Sequence, residues 1–208
     1  MAQVAKPFGL APIKTLQTNA WNQQAMRYYI PSTDNNAYYL GDVVISLAGA
    51  DTFGVPGVVK ATAGTETLRG VIVGFEPANV GAASQQGVAL SLENTGIPAT
   101  KTKAYYAYVV DDPHCVFSVQ DDGLTLAKLV AANANKNSSL TIAAGSSLQT
   151  SSGTCLLSTS IATTQGLNIR LYGLYYGMNN GAQNAFGLFA IWLCAINQHE
   201  LMGNTAGI

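Results

Sequence analysis

The stretch that decides the fold is residues 103–120, KAYYAYVVDDPHCVFSVQ. Its first part, residues 103–110, is rich in tyrosine and valine, which favour the pleated backbone of a strand. The Asp-Asp-Pro sequence that follows predicts the end of that strand, because proline has no N–H to donate to a β-ladder. Apolar and polar residues then alternate in VFSVQ at residues 116–120, which predicts a second strand with one apolar face.

The same pattern of short apolar segments, bounded by turn residues, recurs along the chain. Further strands are predicted at residues 25–30, 38–47, 55–61, 68–75, 88–92, 167–174 and 185–196. A helix is predicted at residues 124–134, where leucines and a valine fall on one face beside several alanines. Many short strands separated by turns are typical of barrels and sandwiches. We therefore expect an all-β fold, an antiparallel β-barrel or jelly-roll-like sandwich, with one short helix.

The N-terminal part lacks this strand pattern. Its apolar residues stand in a stretch that prolines interrupt, and no strand periodicity begins before residue 25; they are Phe8, Leu10, Ile13 and Trp21. Such a stretch favours an extended N-terminal arm over residues 1–22 that docks on a neighbouring subunit. Residues 23–208 are then expected to form a single β-rich domain, a size that suits one hydrophobic core.

The composition argues against several classes of protein. The 208 residues include 10 basic and 11 acidic ones, a formal net charge of −1, whereas nucleic-acid binding needs clustered lysine and arginine. No apolar run reaches the roughly 20 residues of a membrane-spanning helix, and the N-terminus lacks the apolar core of a signal peptide. Three cysteines without paired spacing predict buried free thiols in a protein made in a reducing cytoplasm. We expect no nucleic-acid, membrane or cofactor partner.

The charges are unevenly distributed along the chain. Residues 138–208 contain Arg170 and Glu200 as their only charged residues, and 14 of the 27 residues from 138 to 164 are serine or threonine. Neutral polar groups avoid the desolvation cost of burying an ion, so this composition favours a subunit packed against neighbours over a free monomer. Residues 186–196 are apolar on both strand faces, which predicts either contact with another chain or a central position in the domain's own sheet.

Catalytic chemistry has little support in the sequence. The chain has two histidines, His114 and His199, and His114 lies in the predicted Asp-Asp-Pro turn. There is no nucleophile elbow, Walker phosphate loop or EF-hand loop. We therefore expect a protein that is not an enzyme, with no catalytic, cofactor-binding or metal-binding residues.

Four short segments occur in order over nearly the whole chain: KPFGLAPI at 6–13, YLGDVV at 39–44, DDPHCVFSVQ at 111–120 and INQHEL at 196–201. They resemble the P-F-G-L/F-x-P opening, the G-D-x-V strand, the D-D-P-x-x-x-F-x-V-Q segment and the closing I-N-x-H-x-L of a family of tailed-bacteriophage head proteins. The resemblance implies a capsid decoration, or cement, protein.

A protein of this kind would be a structural virion protein on the capsid surface, made in the host cytoplasm. Its partner would be the major capsid protein, whose subunit joints it stabilises, and it would form a homo-oligomer, a dimer or a trimer. The candidate interface residues are apolar residues of the arm and polar residues of the uncharged third of the chain: Phe8, Leu10, Ile13, Trp21, Ser147, Thr150, Ser158 and Thr163.

Paired tyrosines support an alternative function. Four adjacent pairs occur, at residues 28–29, 38–39, 105–106 and 175–176, and a strand would send one ring of each pair inward and the other outward. Outward rings can stack on a sugar or anchor a protein interface. The alternative is therefore a carbohydrate- or receptor-binding β-module of a virion, associated with a tail or fibre, and an enzyme fits least well.

Overall fold

Strands dominate the regular structure of the protein. The computed structural model describes residues 3–17, 19–77, 96–126, 129–145, 151–179 and 181–202, which form 16 strands and short 3₁₀ turns. In chain order the strands are β1 (Ala11–Thr15), β2 (Met26–Ile30), β3 (Tyr38–Tyr39), β4 (Val43–Ala50), β5 (Pro56–Lys60), β6 (Gly70–Pro77), β7 (Gly96–Ile97), β8 (Tyr105–Val110), β9 (Cys115–Gln120), β10 (Asn137–Ser138), β11 (Leu140–Thr141), β12 (Cys155–Leu156), β13 (Ile169–Leu174), β14 (Met178–Asn179), β15 (Ala182–Gln183) and β16 (Ile191–Ile196). The expected all-β barrel or sandwich class is confirmed.

Five strands close into a barrel in the order β2-β5-β4-β6-β8. Neighbouring strands are antiparallel except β2 and β5, which are parallel. Successive residues of a strand face opposite ways, so Val44, Ile72 and Val109 pack in one apolar core. The adjacent valines at 43, 71 and 110 face the other way and belong to a second core.

A five-stranded antiparallel sheet, in the order β1-β9-β16-β13-β10, covers that outer side of the barrel. Phe117, Leu171 and Trp192 of the sheet share the second core with Val43 and Val71 of the barrel. β16 lies between β9 and β13. Its central position in the domain's own sheet accounts for its two apolar faces without a partner chain.

Residues 103–120 form two strands as predicted, but the strands belong to different layers. β8 is a barrel strand and β9 is a sheet strand, so the Asp-Asp-Pro turn carries the chain from one layer to the other. The polar face of β9 is buried as well, because the N-terminal segment covers it. Gln120 Nε2 donates to the Val4 carbonyl (3.1 Å), and Gln120 Oε1 accepts from the Lys6 N–H (2.7 Å).

The structure corrects the predicted boundary at residue 22. Residues 11–15 form β1, an edge strand paired with β9, and Leu10 is buried in the core between sheet and barrel. Gln3 donates to the Ala185 carbonyl (2.8 Å) and accepts from Asn179 (2.7 Å). The described part of the N-terminal segment is therefore integrated in the domain. Its pairing partner lies far along the chain, so no local sequence pattern marks the strand.

The predicted helix at residues 124–134 is also corrected. In the described part of this segment, Leu126 has 3₁₀ backbone and Ala131–Asn133 form a single 3₁₀ turn. Of the predicted apolar face, Leu129 is buried but Leu126 and Val130 are exposed, so the spacing does not mark a buried helical face. The strand predicted at residues 88–92 lies outside the described residues. Within the described ranges, no helix has the length and apolar character needed to cross a membrane.

Candidate functional site

The first two sequence motifs meet in space. Leu10 donates its N–H to the Gly41 carbonyl (3.0 Å), and Gly9 and Gly41 have φ angles of 76° and 86°. A Cβ on Gly9 would lie 2.2 Å from the Gly41 carbonyl oxygen, and a Cβ on Gly41 would lie 2.3 Å from the Phe8 carbonyl oxygen. A contact this close between two backbones requires glycine on both sides. These motif residues therefore hold the N-terminal segment against the barrel.

Asp42, next in the chain, forms a buried ion pair. Its Oδ2 lies 2.8 Å from Lys60 Nζ, with side-chain exposures of 0% for Asp42 and 9% for Lys60. Ser152 Oγ donates to Asp42 Oδ1 (2.5 Å), and the Tyr39 N–H donates to Oδ2 (2.8 Å). Burial raises the pKa of Asp42, against the opposing effect of the Lys60 ammonium. Both carboxylate oxygens are engaged within the chain, which indicates a structural role.

The last two motifs meet at Arg69. Its Nη2 lies 3.1 Å from Asp111 Oδ2, and its Nη1 lies 3.8 Å from Glu200 Oε2. Tyr28 Oη donates to the same Asp111 oxygen (2.6 Å) and accepts from Arg69 Nε (2.7 Å). Burial raises the pKa of Tyr28 to about 12. The network joins the barrel to the segment that follows β16, so its role, like that of Asp42, is structural.

His199 lies near this network but is closed off from solvent. The residue is 2% exposed, and its Nδ1 accepts the Leu201 N–H (3.1 Å), so the neutral ring carries its proton on Nε2. That Nε2 is buried without a hydrogen-bond partner among the described residues. Burial, followed by the nearby Arg69 charge, lowers the pKa of His199. A buried, neutral histidine is poorly placed to exchange protons with a substrate.

The described ranges contain neither a metal-binding cluster nor a reactive cysteine. No group of three His, Cys, Asp or Glu residues in those ranges could hold a metal ion. The three cysteines are free thiols, although Cys155 is only partly buried. Burial raises the pKa of Cys115 to about 12 and that of Cys155 to about 11, and it also raises the pKa of Cys194. At neutral pH these residues are thiols rather than nucleophilic thiolates.

Among the described residues, the largest group of exposed apolar side chains on one short segment extends from β13 to the loop before β16. We call it the hairpin surface, after the β14–β15 pair at its centre. Its residues are Tyr172 (37% exposed), Tyr176 (88%), Met178 (65%), Phe186 (42%) and Leu188 (38%). Residues 171–199 contain no Lys, Arg, Asp or Glu. Several exposed apolar side chains on one uncharged segment make it a candidate interaction site.

Buried amides tie this hairpin to the sheet. Asn184 Nδ2 donates to the carbonyls of Tyr175 (2.8 Å) and Ile191 (2.7 Å), and its Oδ1 accepts the Ile191 N–H (2.9 Å). Asn179 Nδ2 donates to the Phe189 carbonyl (2.9 Å). Part of the amide-rich composition is therefore used inside the domain, in place of charges. A surface held in this way loses little conformational entropy when a partner binds.

Asp121 lies at the base of the hairpin in an unusual setting for a carboxylate. It is 2% exposed, and its Oδ1 accepts the N–H groups of Gly123 (2.7 Å) and Phe189 (2.9 Å). Its Oδ2 is buried with no hydrogen-bond partner in the described part of the chain. Burial raises the pKa of Asp121 from 3.8 to about 6. The folded protein therefore binds this proton more tightly than the unfolded chain does.

We expect stability to fall as the pH rises through this folded-state pKa. The contribution of the protonated carboxyl is complete below about pH 4 and lost above about pH 7. Asp121→Asn keeps the Oδ1 acceptor but cannot ionise. Its free energy of unfolding should therefore rise relative to that of the wild type by about 2–3 kcal/mol as the pH increases across that range. Urea unfolding of both proteins at each pH measures this difference. Other titrating groups, such as His199, are present in both proteins, so their contributions cancel. A difference that does not change with pH would contradict the assignment.

The eight predicted interface residues do not all face outward. Leu10 is 1% exposed and Ser158 is 0% exposed, and Ser158 Oγ donates to Asp122 Oδ1 (2.5 Å). Neither is available to a partner, which corrects their assignment. The others are partly buried (Phe8, Ile13, Trp21), exposed (Thr163) or outside the described residues (Ser147, Thr150).

Sequence reasoning missed the hairpin surface although a signal was present. The lack of charge over residues 171–199 was visible, but residues 185–196 were predicted as one continuous strand. β16 begins only at Ile191. Glycines at 173, 177, 181 and 187 mark the preceding segment as turns, which is the signal that could have identified it.

Paired tyrosines follow the predicted alternation in the barrel. Tyr28 is 2% exposed whereas Tyr29 is only partly buried. The outward Tyr106 is 7% exposed, because Arg27 Cζ stacks 3.6 Å from its ring centroid. This ring is therefore covered by the protein itself. Tyr176, on the hairpin surface, is the most exposed large hydrophobic residue in the described ranges.

No protein-family model, curated protein or solved structure matches this chain. Function is therefore inferred from the chain's own surfaces and from its four motifs. Those motifs fall into two pairs that meet in the fold, one at Gly41 and one at Arg69.

Proposed function

We propose that this protein is a structural virion protein, a capsid decoration or cement protein. It binds the outer surface of a tailed-phage head and stabilises the joints between major capsid protein subunits. The observation that carries the proposal is the hairpin surface, five exposed apolar side chains on a segment without charged residues. The four motifs support it through their resemblance to tailed-phage head proteins.

An uncharged apolar surface suits a lasting protein contact. Charged residues are depleted from the cores of interfaces, because the desolvation they suffer is seldom recovered fully. Five side chains make a small contact, but a capsid repeats the same joint many times, and linked contacts gain avidity. A dimer or trimer of this protein would present several hairpin surfaces at once.

A Met178→Asp variant tests the contact directly. Met178 is 65% exposed, so the carboxylate stays hydrated in the free protein but loses its hydration in the proposed interface. We expect affinity for the capsid to fall at least about tenfold. Co-sedimentation of the purified protein with undecorated heads measures this loss, and the wild-type protein should bind in a fixed ratio to the capsid protein.

Phe53→Asp is the matched control. Phe53 is 66% exposed, as Met178 is, but it lies in the loop between β4 and β5 of the barrel. This variant should bind heads as the wild type does. The proposal fails if Met178→Asp binds as well as Phe53→Asp, or if wild-type protein does not sediment with the heads.

A further inference from the structure

A groove on the outside of the barrel lies apart from the hairpin surface. It follows residues 21–26, which lead into β2, and it has two lobes of about 540 Å³ and 600 Å³. Gln23 and Ala25 line both lobes, so the lobes are adjacent. Trp21, Gly74 and Tyr108 complete the smaller lobe. Volumes of this order are typical of small-molecule sites.

Two aromatic rings are fixed in the smaller lobe. Trp21 donates its Nε1–H to the Gln24 carbonyl (3.2 Å), and Tyr108 Oη donates to Glu76 Oε2 (2.8 Å). Glu76 is 5% exposed and also lies 3.4 Å from Arg27 Nε. The polar edges of both rings are therefore used within the protein. What they offer a ligand is ring surface, which attracts the C–H groups of a sugar ring through dispersion and the negative face of the ring.

A β-bulge and a glycine shape the floor of the same lobe. The register of β6 against β8 shifts between Ile72 and Gly74, and bulges commonly occur where a strand must re-aim side chains beside a site. A Cβ on Gly74 would lie 3.5 Å from Cδ2 of Tyr108. Glycine at this position therefore leaves that side of the tyrosine ring uncovered.

Two free amides line the groove, Gln23 in both lobes and Gln24 in the larger one. Gln23 and Gln24 are exposed, and their side chains make no hydrogen bond to any described residue. Gln23 also has a φ of 66°, a left-handed conformation that is uncommon for residues other than glycine and is concentrated at functional sites. Each amide offers both a donor and an acceptor. A donor and an acceptor on one side chain suit the hydroxyl groups of a ligand, because a hydroxyl also donates and accepts hydrogen bonds.

The larger lobe ends at two carboxylates. Asp111 and Asp112 line it, and the Asp112 side chain is 48% exposed. Arg69 pairs with Asp111, but no lysine or arginine is among the described residues that line either lobe. Carboxylates accept hydrogen bonds from hydroxyls and repel anions. The chemistry favours a neutral polyhydroxylated ligand over a phosphate or another anion.

We propose that this groove is a binding site for neutral saccharides. A sugar ring packs on Trp21 and Tyr108, and its hydroxyls hydrogen-bond to Gln23, Gln24 and Asp112. None of these residues belongs to the hairpin surface. The proposal of a saccharide site is therefore independent of the proposed attachment to a capsid, and the two can be tested separately.

Ligand titration of the full-length protein tests the proposal. Maltotriose, cellotriose and triacetylchitotriose serve as neutral probes, observed by saturation-transfer NMR and calorimetry. We expect at least one of them to bind with a millimolar or tighter dissociation constant. Lactose should bind more tightly than sialyllactose, because the exposed Asp112 carboxylate repels the sialic acid carboxylate. Failure of all three neutral probes, or tighter binding of sialyllactose, would overturn the proposal.

Variants of the groove locate the binding. Trp21→Ala removes a stacking ring and should weaken binding at least about tenfold. Because Trp21 also packs against the core, Gly74→Leu provides a second variant, which fills the smaller lobe without removing a core contact. Tyr176→Ala, which removes an exposed ring from the hairpin surface, should bind as the wild type does. Unchanged binding by Gly74→Leu, or loss of binding in Tyr176→Ala, would contradict this location.

Discussion

A Gly41→Ala variant should lose about 3–5 kcal/mol of unfolding free energy. Two effects add at this position. The φ of 86° is unfavourable for an L-residue with a side chain, and the new Cβ would lie 2.3 Å from the Phe8 carbonyl oxygen. That oxygen belongs to the backbone, so the clash is relieved only by moving the N-terminal segment away from the barrel. Urea denaturation of the variant and the wild type measures the loss.

Gly54→Ala separates the two effects. Gly54 has nearly the same φ, 84°, but a Cβ there would meet nothing within 4 Å. This variant should lose only about 1 kcal/mol, from backbone strain alone. Equal losses in the two variants would show that strain and not the close approach dominates at Gly41, contrary to the role assigned to the first two motifs.

The second large effect is expected at the buried ion pair. Lys60→Met keeps the bulk of the side chain but leaves the Asp42 carboxylate, 0% exposed, without its cation. Removing one partner of a buried pair costs about 3–5 kcal/mol. Burial already raises the pKa of Asp42, and without Lys60 the carboxyl should take up a proton more readily. Part of the lost stability should therefore return as the pH is lowered.

A double-mutant cycle gives the coupling between the two charges. Asp42→Asn with Lys60→Met should lose less than the sum of the single variants, because no buried charge is then left unpaired. Lys103→Met is the matched control, since Lys103 is exposed and its replacement should change stability by less than about 0.5 kcal/mol. Additive losses in the double variant would contradict a strong interaction between Asp42 and Lys60.

Most of the fold was predictable from the local alternation of apolar and polar residues. The elements that were predicted wrongly have a common cause. β8 and β9 follow from residues 103–120, because strand preference and a proline are local signals. β1 was missed because its partner strand, β9, lies about a hundred residues along the chain, beyond any local pattern. The helix at residues 124–134 was predicted from apolar spacing and several alanines, although Leu126 and Val130 of its apolar face are exposed.

The candidate sites were less predictable than the fold for the same reason. The serine-rich surroundings of Ser158 predict a surface residue, but Ser158 is buried and donates a hydrogen bond to Asp122. The groove depends on Trp21 and Tyr108 lying together, and these residues are far apart in the sequence. The hairpin surface alone had a local signal, the absence of charge over residues 171–199.

The position of β16 has a consequence for how the chain is synthesised. The strands of the barrel are complete once β8 has emerged at Val110, whereas the sheet needs β16 (Ile191–Ile196), which is inserted between β9 and β13. A nascent chain can therefore close its barrel on the ribosome while β9 still lacks its central neighbour. Pairing over such sequence separations is slow, and strands left unpaired in the meantime are prone to aggregate. The hairpin surface adjoins β16 and should form last, so that a partner meets it only on finished molecules.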